Sequence, residues 1–308
     1  MKLNLKKLMV TRDDDLLHEF PWFTRAELRR MKRWGEPKNL PKILLLDIET
    51  APIEALTWWI HQQEIAIGQI SRDWFMLCWN AKWLFDPKVE WDVLTPEESL
   101  LWNDKRISKS LIELMNEADI IIGHNWDNFD IKKAKARFLK HWLIPDKVYR
   151  TIDTLKIGRR EFKLTSNKLQ YMCDYCWLNV KLDTGGFELW AEAIGKPTSV
   201  AVKKWGKSIS RIESFNKSSV ESALYTMSNY CANDVLILEE LYLRLRPYDR
   251  SHPNVGMYMD TEWAVVCPVC GSSHLQGMWH YATQVWQYVS LKCKDCWAAI
   301  RSKIKVWK

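Results

Sequence analysis

The chain has 308 residues, of which 47% are hydrophobic and 27% are charged, enough apolar sequence to bury one large core. No apolar run approaches the roughly 18 residues of a membrane span, and no secretory segment opens the chain, so we expect a cytoplasmic protein without a membrane partner. Residues 1–41 hold 10 Lys and Arg against 6 Asp and Glu, and residues 260–308 hold 6 against 3. The net charge of +7 therefore lies at the two ends, which favours contact with a polyanion.

Residues 1–41 predict a basic N-terminal extension and not a domain. Thr24 and Glu27 have the spacing of a capping box, which predicts a short basic helix that stops at Gly35. Such an arm either packs on the main sheet through its aromatic residues or touches a phosphate backbone. The sequence leaves both roles open.

A strand buried on both faces is predicted at residues 42–50, where an apolar run ends in two carboxylates. Side chains alternate along a strand, so Asp47 and Glu49 should project to the same side. Two acids that converge without a neutralising Lys or Arg need a cation, and carboxylate oxygens suit a hard divalent metal. The alternative is a strand end that carries its acids into solvent.

The next segments predict a sheet that alternates with helices. Aromatic and β-branched residues indicate antiparallel strands, at residues 58–70, 73–82 and 88–94. Helices and short strands follow in the predicted order helix 108–117, strand 119–123, helix 131–140, edge strand 148–153, and helices from 154, over 167–178 and over 187–194. Asp130 lies just past the end of a strand, where open α/β sheets commonly form their sites. Polar residues 195–217 predict a surface insertion.

A long helix over residues 218–246 closes the predicted main domain. Tyr230 and Asp234 are four residues apart, so the phenol and the carboxylate lie one turn above each other and close to the apolar face. Packing alone would not favour an Asp there. The apolar face consists of Val220, Ala223, Leu224, Met227, Cys231, Leu238, Leu241 and Leu245.

Three motifs connect these elements: Asp47-Ile-Glu49-Thr, Asn125-x-x-x-Phe129-Asp130 and Tyr230-x-x-x-Asp234. In order and spacing they resemble the motifs of the DEDD 3′-5′ exonucleases, over residues 42–250. The resemblance implies an α/β, ribonuclease H-like fold with a mixed sheet flanked by helices. Asn229 stands where the His type has His, so the chain is similar to the Tyr type, as in the proofreading domains of family-B DNA polymerases. It resembles the stand-alone members, many of which are phage-encoded.

The resemblance implies a two-metal-ion exonuclease that releases 5′-mononucleotides from single-stranded nucleic acid, with DNA favoured over RNA. Its cofactors would be two Mg²⁺ or Mn²⁺ ions. By this resemblance Asp47 bridges both ions, and Glu49 and Asp234 complete the site of the attacking water. Asp130 serves the ion at the leaving group.

The resemblance also assigns three residues around the metal acids. The Tyr230 hydroxyl would orient the attacking water, because a phenol ionises near pH 10 and is a poor base at neutral pH. Asn125 and Phe129 match positions that line the cleft and position the substrate. Expected partners are nucleic acid and replication or repair proteins, in the cytoplasm of a bacterium or a phage-infected host cell.

Two other functions remain open at this point. A structure-selective endonuclease or resolvase could use the same fold and the same acids, and would cut a substrate with both ends blocked. A non-catalytic nucleic-acid-binding protein on the same scaffold would be expected to lose the metal acids first, and all four are present.

Residues 258–308 predict a zinc ribbon that holds one structural Zn²⁺. Two Cys-x-x-Cys knuckles, Cys267 with Cys270 and Cys293 with Cys296, are separated by 22 residues of strand-like sequence. So small a module builds little core, and zinc would supply most of its folding free energy. Its positive charge and aromatic residues favour nucleic-acid contact over protein contact. Cys173 and Cys176, in contrast, are predicted as core thiols on a helix.

Overall fold

The computed structural model describes residues 41–59, 64–179, 186–196, 217–259 and 265–306. The predicted basic extension lies outside these residues, apart from Pro41. Most of the predicted surface insertion also lies outside them, as does the glycine-containing loop that precedes the helix at Phe187, apart from Gly186.

The main sheet has five strands in the order β5-β4-β1-β6-β7. β1 lies at its centre, antiparallel to β4 and parallel to β6, and the apolar run that precedes its acids is buried. β2 and β3 form a separate two-stranded ladder. The strands are β1 (Ile43–Thr50), β2 (Glu54–Ala55), β3 (Ile70–Arg72), β4 (Met76–Trp83), β5 (Val89–Val93), β6 (Ile120–Gly123) and β7 (Arg150–Asp153).

Helices cover the sheet, which confirms the predicted α/β class with a mixed, helix-flanked sheet. They are α1 (Pro96–Leu100), α2 (Lys105–Glu117), α3 (Asp130–Lys140), α4 (Thr154–Glu161), α5 (Leu169–Tyr175), α6 (Phe187–Ala193) and α7 (Lys217–Leu245). Within the described part of the chain, none of them has the length and apolar character required to cross a bilayer.

Alternate residues of β1 enter different cores. Leu44 and Leu46 belong to one apolar cluster, and Leu45 belongs to a second one that also contains Leu238 and Leu241 of α7. Because side chains alternate along a strand, Asp47 and Glu49 share the face of Leu45 and therefore project toward α7. The eight apolar residues predicted on the inner face of α7 are all buried.

A buried ion pair fastens α3 to β4. Arg137 donates two hydrogen bonds to the Asp104 carboxylate, at 2.5 and 2.7 Å, and the backbone amide of Met76 donates another at 2.8 Å. Burial acts to raise the pKa of Asp104, but these hydrogen bonds and one from His141 outweigh it and lower the pKa. The pair holds the helix that begins with Asp130 in a fixed position against the sheet.

The strand predicted at residues 58–70 is wrong for the residues that the structure describes. Only Glu54–Ala55 pairs with Ile70–Arg72, and Ile67–Gln69 is a single 3₁₀ turn. Trp58 and Ile67 are 87% and 88% exposed, so these apolar side chains have no face to bury on. Strand propensity largely measures packing on a half-buried surface, which this segment lacks.

The C-terminal module is a three-stranded antiparallel sheet in the order β10-β9-β8, with β8 at Leu275–Ala282, β9 at Gln287–Cys293 and β10 at Ala299–Val306. An apolar cavity of about 330 Å³ lies between the first residue of β1 and the first cysteine knuckle of this module, lined by Ile43, Phe85, Arg246, Val255, Val269 and Cys270. The connecting segment packs on the main domain, since the Tyr242 hydroxyl and His252 Nε2 lie 2.8 Å apart and Val255 is buried.

Candidate metal and catalytic sites

Three of the predicted metal acids come together between β1 and α7. Asp47, Glu49 and Asp234 each offer a carboxylate oxygen, and these oxygens lie within 4.8 Å of one another. Asp234 is buried on the inner face of α7, whereas the two β1 acids are half-buried. The alternation of side chains along β1 and the helical repeat of α7 thus bring acids from distant parts of the chain close together.

Asp130, the fourth predicted acid, is buried as the first residue of α3. It lies outside the group of three oxygens but close enough to feel their charge. Burial, followed by the negative charge of Asp47 and then that of Glu49, raises the pKa of Asp130 well above its usual range. The acids therefore repel one another strongly in the absence of a cation.

The loop after β6 is organised by Asp153 at the end of β7. Its buried carboxylate accepts hydrogen bonds from the backbone amides of Asn125 at 2.9 Å, Asp127 at 3.3 Å and Leu155 at 3.0 Å. Asn125 has a φ of 61°, a left-handed conformation that Asn tolerates better than most residues. This turn brings the chain into α3 with Asp130 directed toward β1, and Phe129, the residue before it, is 42% exposed.

Tyr230 is half-buried one turn before Asp234, and its ring meets Trp190 edge to face, with ring centroids 5.9 Å apart. Trp190 lies on α6 and donates a hydrogen bond from Nε1 to Glu49 Oε2 at 3.1 Å. It therefore contacts two of the predicted catalytic residues. The sequence analysis missed it, because nothing in the sequence separates this Trp from the other 18.

Cys231 is a second residue whose contact was not predicted. It was expected only to pack in the core, yet its Sγ lies 3.3 Å from Asp47 Oδ2 and 3.4 Å from the Asp47 carbonyl oxygen. Burial raises the pKa of Cys231 well above its usual value, so the thiol keeps its proton and donates to Asp47. The thiol of Cys231, on α7, therefore fixes the position of one carboxylate oxygen of Asp47.

His124, which precedes the second motif, has a structural role. Its ring nitrogens lie 2.9 Å from Thr154 Oγ1 and 3.0 Å from the Asn167 carbonyl oxygen. Both nitrogens are thus engaged in holding the loop to α4 and to the segment before α5.

The residues of the acid cluster fit divalent cations. The ligand atoms are carboxylate oxygens, which Mg²⁺ and Mn²⁺ prefer, and three of them converge within ligand-sharing distance. Burial, and after it the negative charge of Asp47 and Glu49, raises the pKa of Asp130, and a bound cation would offset that negative charge. Asp47, Glu49 and Asp234 could hold such a cation, with Asp130 beside them.

The four predicted zinc ligands also come together. The Sγ atoms of Cys267 and Cys296 are 3.6 Å apart, and those of Cys270 and Cys293 are 3.7 Å apart. Four sulfurs at about 2.3 Å from a tetrahedral zinc would lie about 3.8 Å from one another, so the spacing fits that ion. Hydrogen bonds from the neighbouring thiols, that of Cys267 first, lower the pKa of Cys293.

His274 and His280 are close to the cysteines in the sequence, but among the described residues neither belongs to the cysteine cluster. His274 Nδ1 lies 3.2 Å from Asp295 Oδ1, and Ser272 donates to Asp295 Oδ2 at 2.6 Å. The backbone amide of Asp295 in turn lies 3.4 Å from Cys293 Sγ. These polar groups therefore orient the second knuckle, and four thiols alone form the candidate zinc site.

The chain matches no known protein-family profile and no curated protein. Among solved structures it is similar to the family B DNA polymerase from the hyperthermophilic archaeon Pyrobaculum calidifontis, with a TM-score of 0.45 and 17% identity. The match covers 70% of this chain and 25% of that chain. The chain thus spans about a quarter of that polymerase, and so distant a likeness does not assign an activity.

Proposed function

We propose that residues 42–250 form a 3′-5′ exonuclease that hydrolyses single-stranded nucleic acid, with DNA as the favoured substrate. The observation that carries this proposal is the convergence of Asp47, Glu49 and Asp234 within 4.8 Å, with Asp130 beside them. Two-metal hydrolysis of a phosphodiester uses such a cluster to hold the cations, because the reacting phosphate is negatively charged and its leaving alkoxide is poor.

The chemistry that two bound Mg²⁺ or Mn²⁺ ions would supply is neutralisation of the phosphodiester charge and easier ionisation of the attacking water. Asp47, Glu49, Asp130 and Asp234 would hold these ions. The Tyr230 hydroxyl, on a side chain one helical turn from Asp234, would orient the attacking water by a hydrogen bond.

Two residues of the loop after β6 would position the substrate. The exposed face of Phe129 offers a stacking surface for a base at the rim of the acid cluster. The left-handed turn at Asn125 sets the position of that ring. A single strand suits this arrangement, because its unpaired bases are free to stack while the terminal phosphate reaches the acids.

A cleavage assay tests the proposal. A 5′-labelled single strand incubated with Mg²⁺ or Mn²⁺ should shorten stepwise from its 3′ end, and a circular single strand should stay intact. Asp47→Asn should abolish the ladder, whereas Glu113→Gln, at a side chain 63% exposed on α2, should leave it unchanged. Cleavage of the circle would favour the endonuclease, and binding without any cleavage would favour the non-catalytic protein.

We also propose that residues 258–308 form a Cys₄ zinc ribbon that contacts nucleic acid. Tyr281 pairs with Tyr288 across β8 and β9, and Arg301 lies over both rings, with its guanidinium 5.9 and 4.6 Å from their centroids. Trp279 is two residues before Tyr281 and 80% exposed. An aromatic and basic surface of this kind suits stacked bases and their phosphates.

A single substitution tests the ribbon without truncating the chain. Trp279→Ala should weaken binding of a long single strand by about 5- to 150-fold, since stacking on one aromatic is worth roughly 1 to 3 kcal/mol. Trp142→Ala is the matched control, because Trp142 is 91% exposed after α3, far along the chain from the ribbon. Equal affinities of the two variants would leave the ribbon as a docking site for a replication or repair protein.

A further inference from the structure

A lysine shares α3 with Asp130, the fourth predicted metal acid. Lys133 lies three residues after Asp130 on α3, so the two side chains occupy the same side of the helix one turn apart. Its Nζ is 3.7 Å from the ring centroid of Trp74 and 5.4 Å from that of Phe129. The ammonium thus lies beside two aromatic rings, on the helix that begins with Asp130.

Two fully buried cations near the main sheet form ion pairs. Arg137 pairs with Asp104 at 2.5 Å, and Lys82 pairs with Glu239 at 2.5 Å. Lys133 forms no ion pair with any carboxylate that the structure describes. Burial lowers its pKa, Asp73 opposes this change, and Arg137 adds to it.

A half-buried ammonium without an ion pair is costly in an apo protein, because the ring faces beside it replace little of the lost hydration. A protein that needed only packing on Trp74 could use an uncharged side chain at this position. The charge becomes favourable when an anion arrives. Partly buried residues whose pKa is perturbed in this way are candidates for functional residues.

We propose that Lys133, seated on Trp74, binds a backbone phosphate of the strand whose end enters the acid cluster. The proposal rests on the exonuclease function and names a substrate contact for it. Phe129 lies beside the same ammonium and is 42% exposed, so a base can stack there while the adjacent phosphate meets Lys133. A polymer that alternates bases with phosphates presents both groups at this spacing, which a free small anion does not.

The helix supplies matched controls, since Lys132 and Lys135 are exposed neighbours on other sides of α3. Lys133→Met keeps the aliphatic stem against Trp74 and removes the charge, whereas Lys133→Arg keeps the charge. Lys132→Met and Lys135→Met remove the same charge from the same helix. Thermal stability is measured for all four variants.

The binding assay uses a short fluorescein-labelled oligothymidylate in EDTA, followed by fluorescence anisotropy between about 50 and 200 mM salt. Lys133→Met should bind about tenfold more weakly, the loss expected for one charged hydrogen bond. The slope of log affinity against log salt should also fall by about 0.7, as expected for one phosphate contact on a single strand. Lys133→Arg should restore most of the affinity and most of the salt slope. The two control variants should stay near wild type in both quantities.

Several outcomes would overturn the proposal. If Lys133→Met binds as tightly as wild type, Lys133 does not contact the phosphate. If all three Met variants weaken binding equally, the effect comes from the general positive charge of the helix and not from a specific contact. A lower melting temperature of Lys133→Met, with no rescue of binding by Lys133→Arg, would show a structural role on Trp74. Wild-type protein that binds in this Lys133-dependent way but never cuts the strand would support the phosphate contact and reject the exonuclease.

Discussion

The indole of Trp190 offers a sharp test of how the acid cluster is held. Its Nε1 donates to Glu49 Oε2 at 3.1 Å, and a hydrogen bond to a charged group is worth about 1.5 to 3 kcal/mol. Glu49 and Trp190 are both half-buried, so we take the lower end, about 1.5 kcal/mol. Trp190→Phe keeps most of the ring and removes this donor. Glu49 then keeps its charge but loses one of the contacts that orient it toward Asp47 and Asp234.

A loss of about 1.5 kcal/mol corresponds to roughly tenfold in metal affinity, within the 10- to 100-fold range found when groups that orient metal ligands are changed. The assay is the Mn²⁺ concentration needed for half-maximal cleavage, checked by calorimetric titration of Mn²⁺ without substrate. Trp83→Phe is the control, because Trp83 donates a similar bond to Glu90 at 3.2 Å on the sheet. If Trp190→Phe and Trp83→Phe give the same Mn²⁺ dependence as wild type, the positioning role of Trp190 is refuted.

Three further predictions use the same protein. Asp47→Asn should abolish cleavage yet hold or raise thermal stability in EDTA, because it relieves repulsion in the acid cluster; a large fall in melting temperature would contradict this. Tyr230→Phe should retain Mn²⁺ binding and lose activity within or below the 10²- to 10⁴-fold range of one positioned group, as measured by single-turnover cleavage. The pKa of Asp104 is lowered in the folded protein, so its stabilising effect is present above the unfolded pKa near 4 and is lost as pH falls through the folded value. Asp104→Asn should therefore cost about 3 kcal/mol at neutral pH, by leaving Arg137 without its partner, and urea unfolding of this variant should depend less on pH below 4.

Periodicity explains why much of the acid cluster could be predicted from the sequence. The alternation of β1 places Asp47 and Glu49 on one face, and the helical repeat of α7 places Asp234 near its apolar face. Both rules are local, so they hold without knowledge of the partner elements. The four cysteines could be predicted for a similar reason, because zinc knuckles fix their spacing along the chain.

Trp190 and Cys231 could not be predicted, because their contacts depend on how distant elements approach one another. The indole reaches Glu49 only because α6 lies beside β1, which no spacing within residues 187–194 reveals. Cys231 was correctly placed on the buried face of α7, but that face also passes behind Asp47. Local patterns predict which face is buried, and tertiary packing decides which polar atom the face meets.

The two ends of β1 meet different parts of the molecule, which has a consequence for substrate length. The cysteine module borders the cavity at Ile43, while Glu49 lies six residues further along the strand, about 20 Å away at the usual rise. At about 3.4 Å for each stacked nucleotide, a stacked strand needs roughly six nucleotides to reach from one place to the other. If the ribbon holds the strand, digestion would change near that length from repeated cuts in one encounter to one cut for each encounter, so short remnants would accumulate.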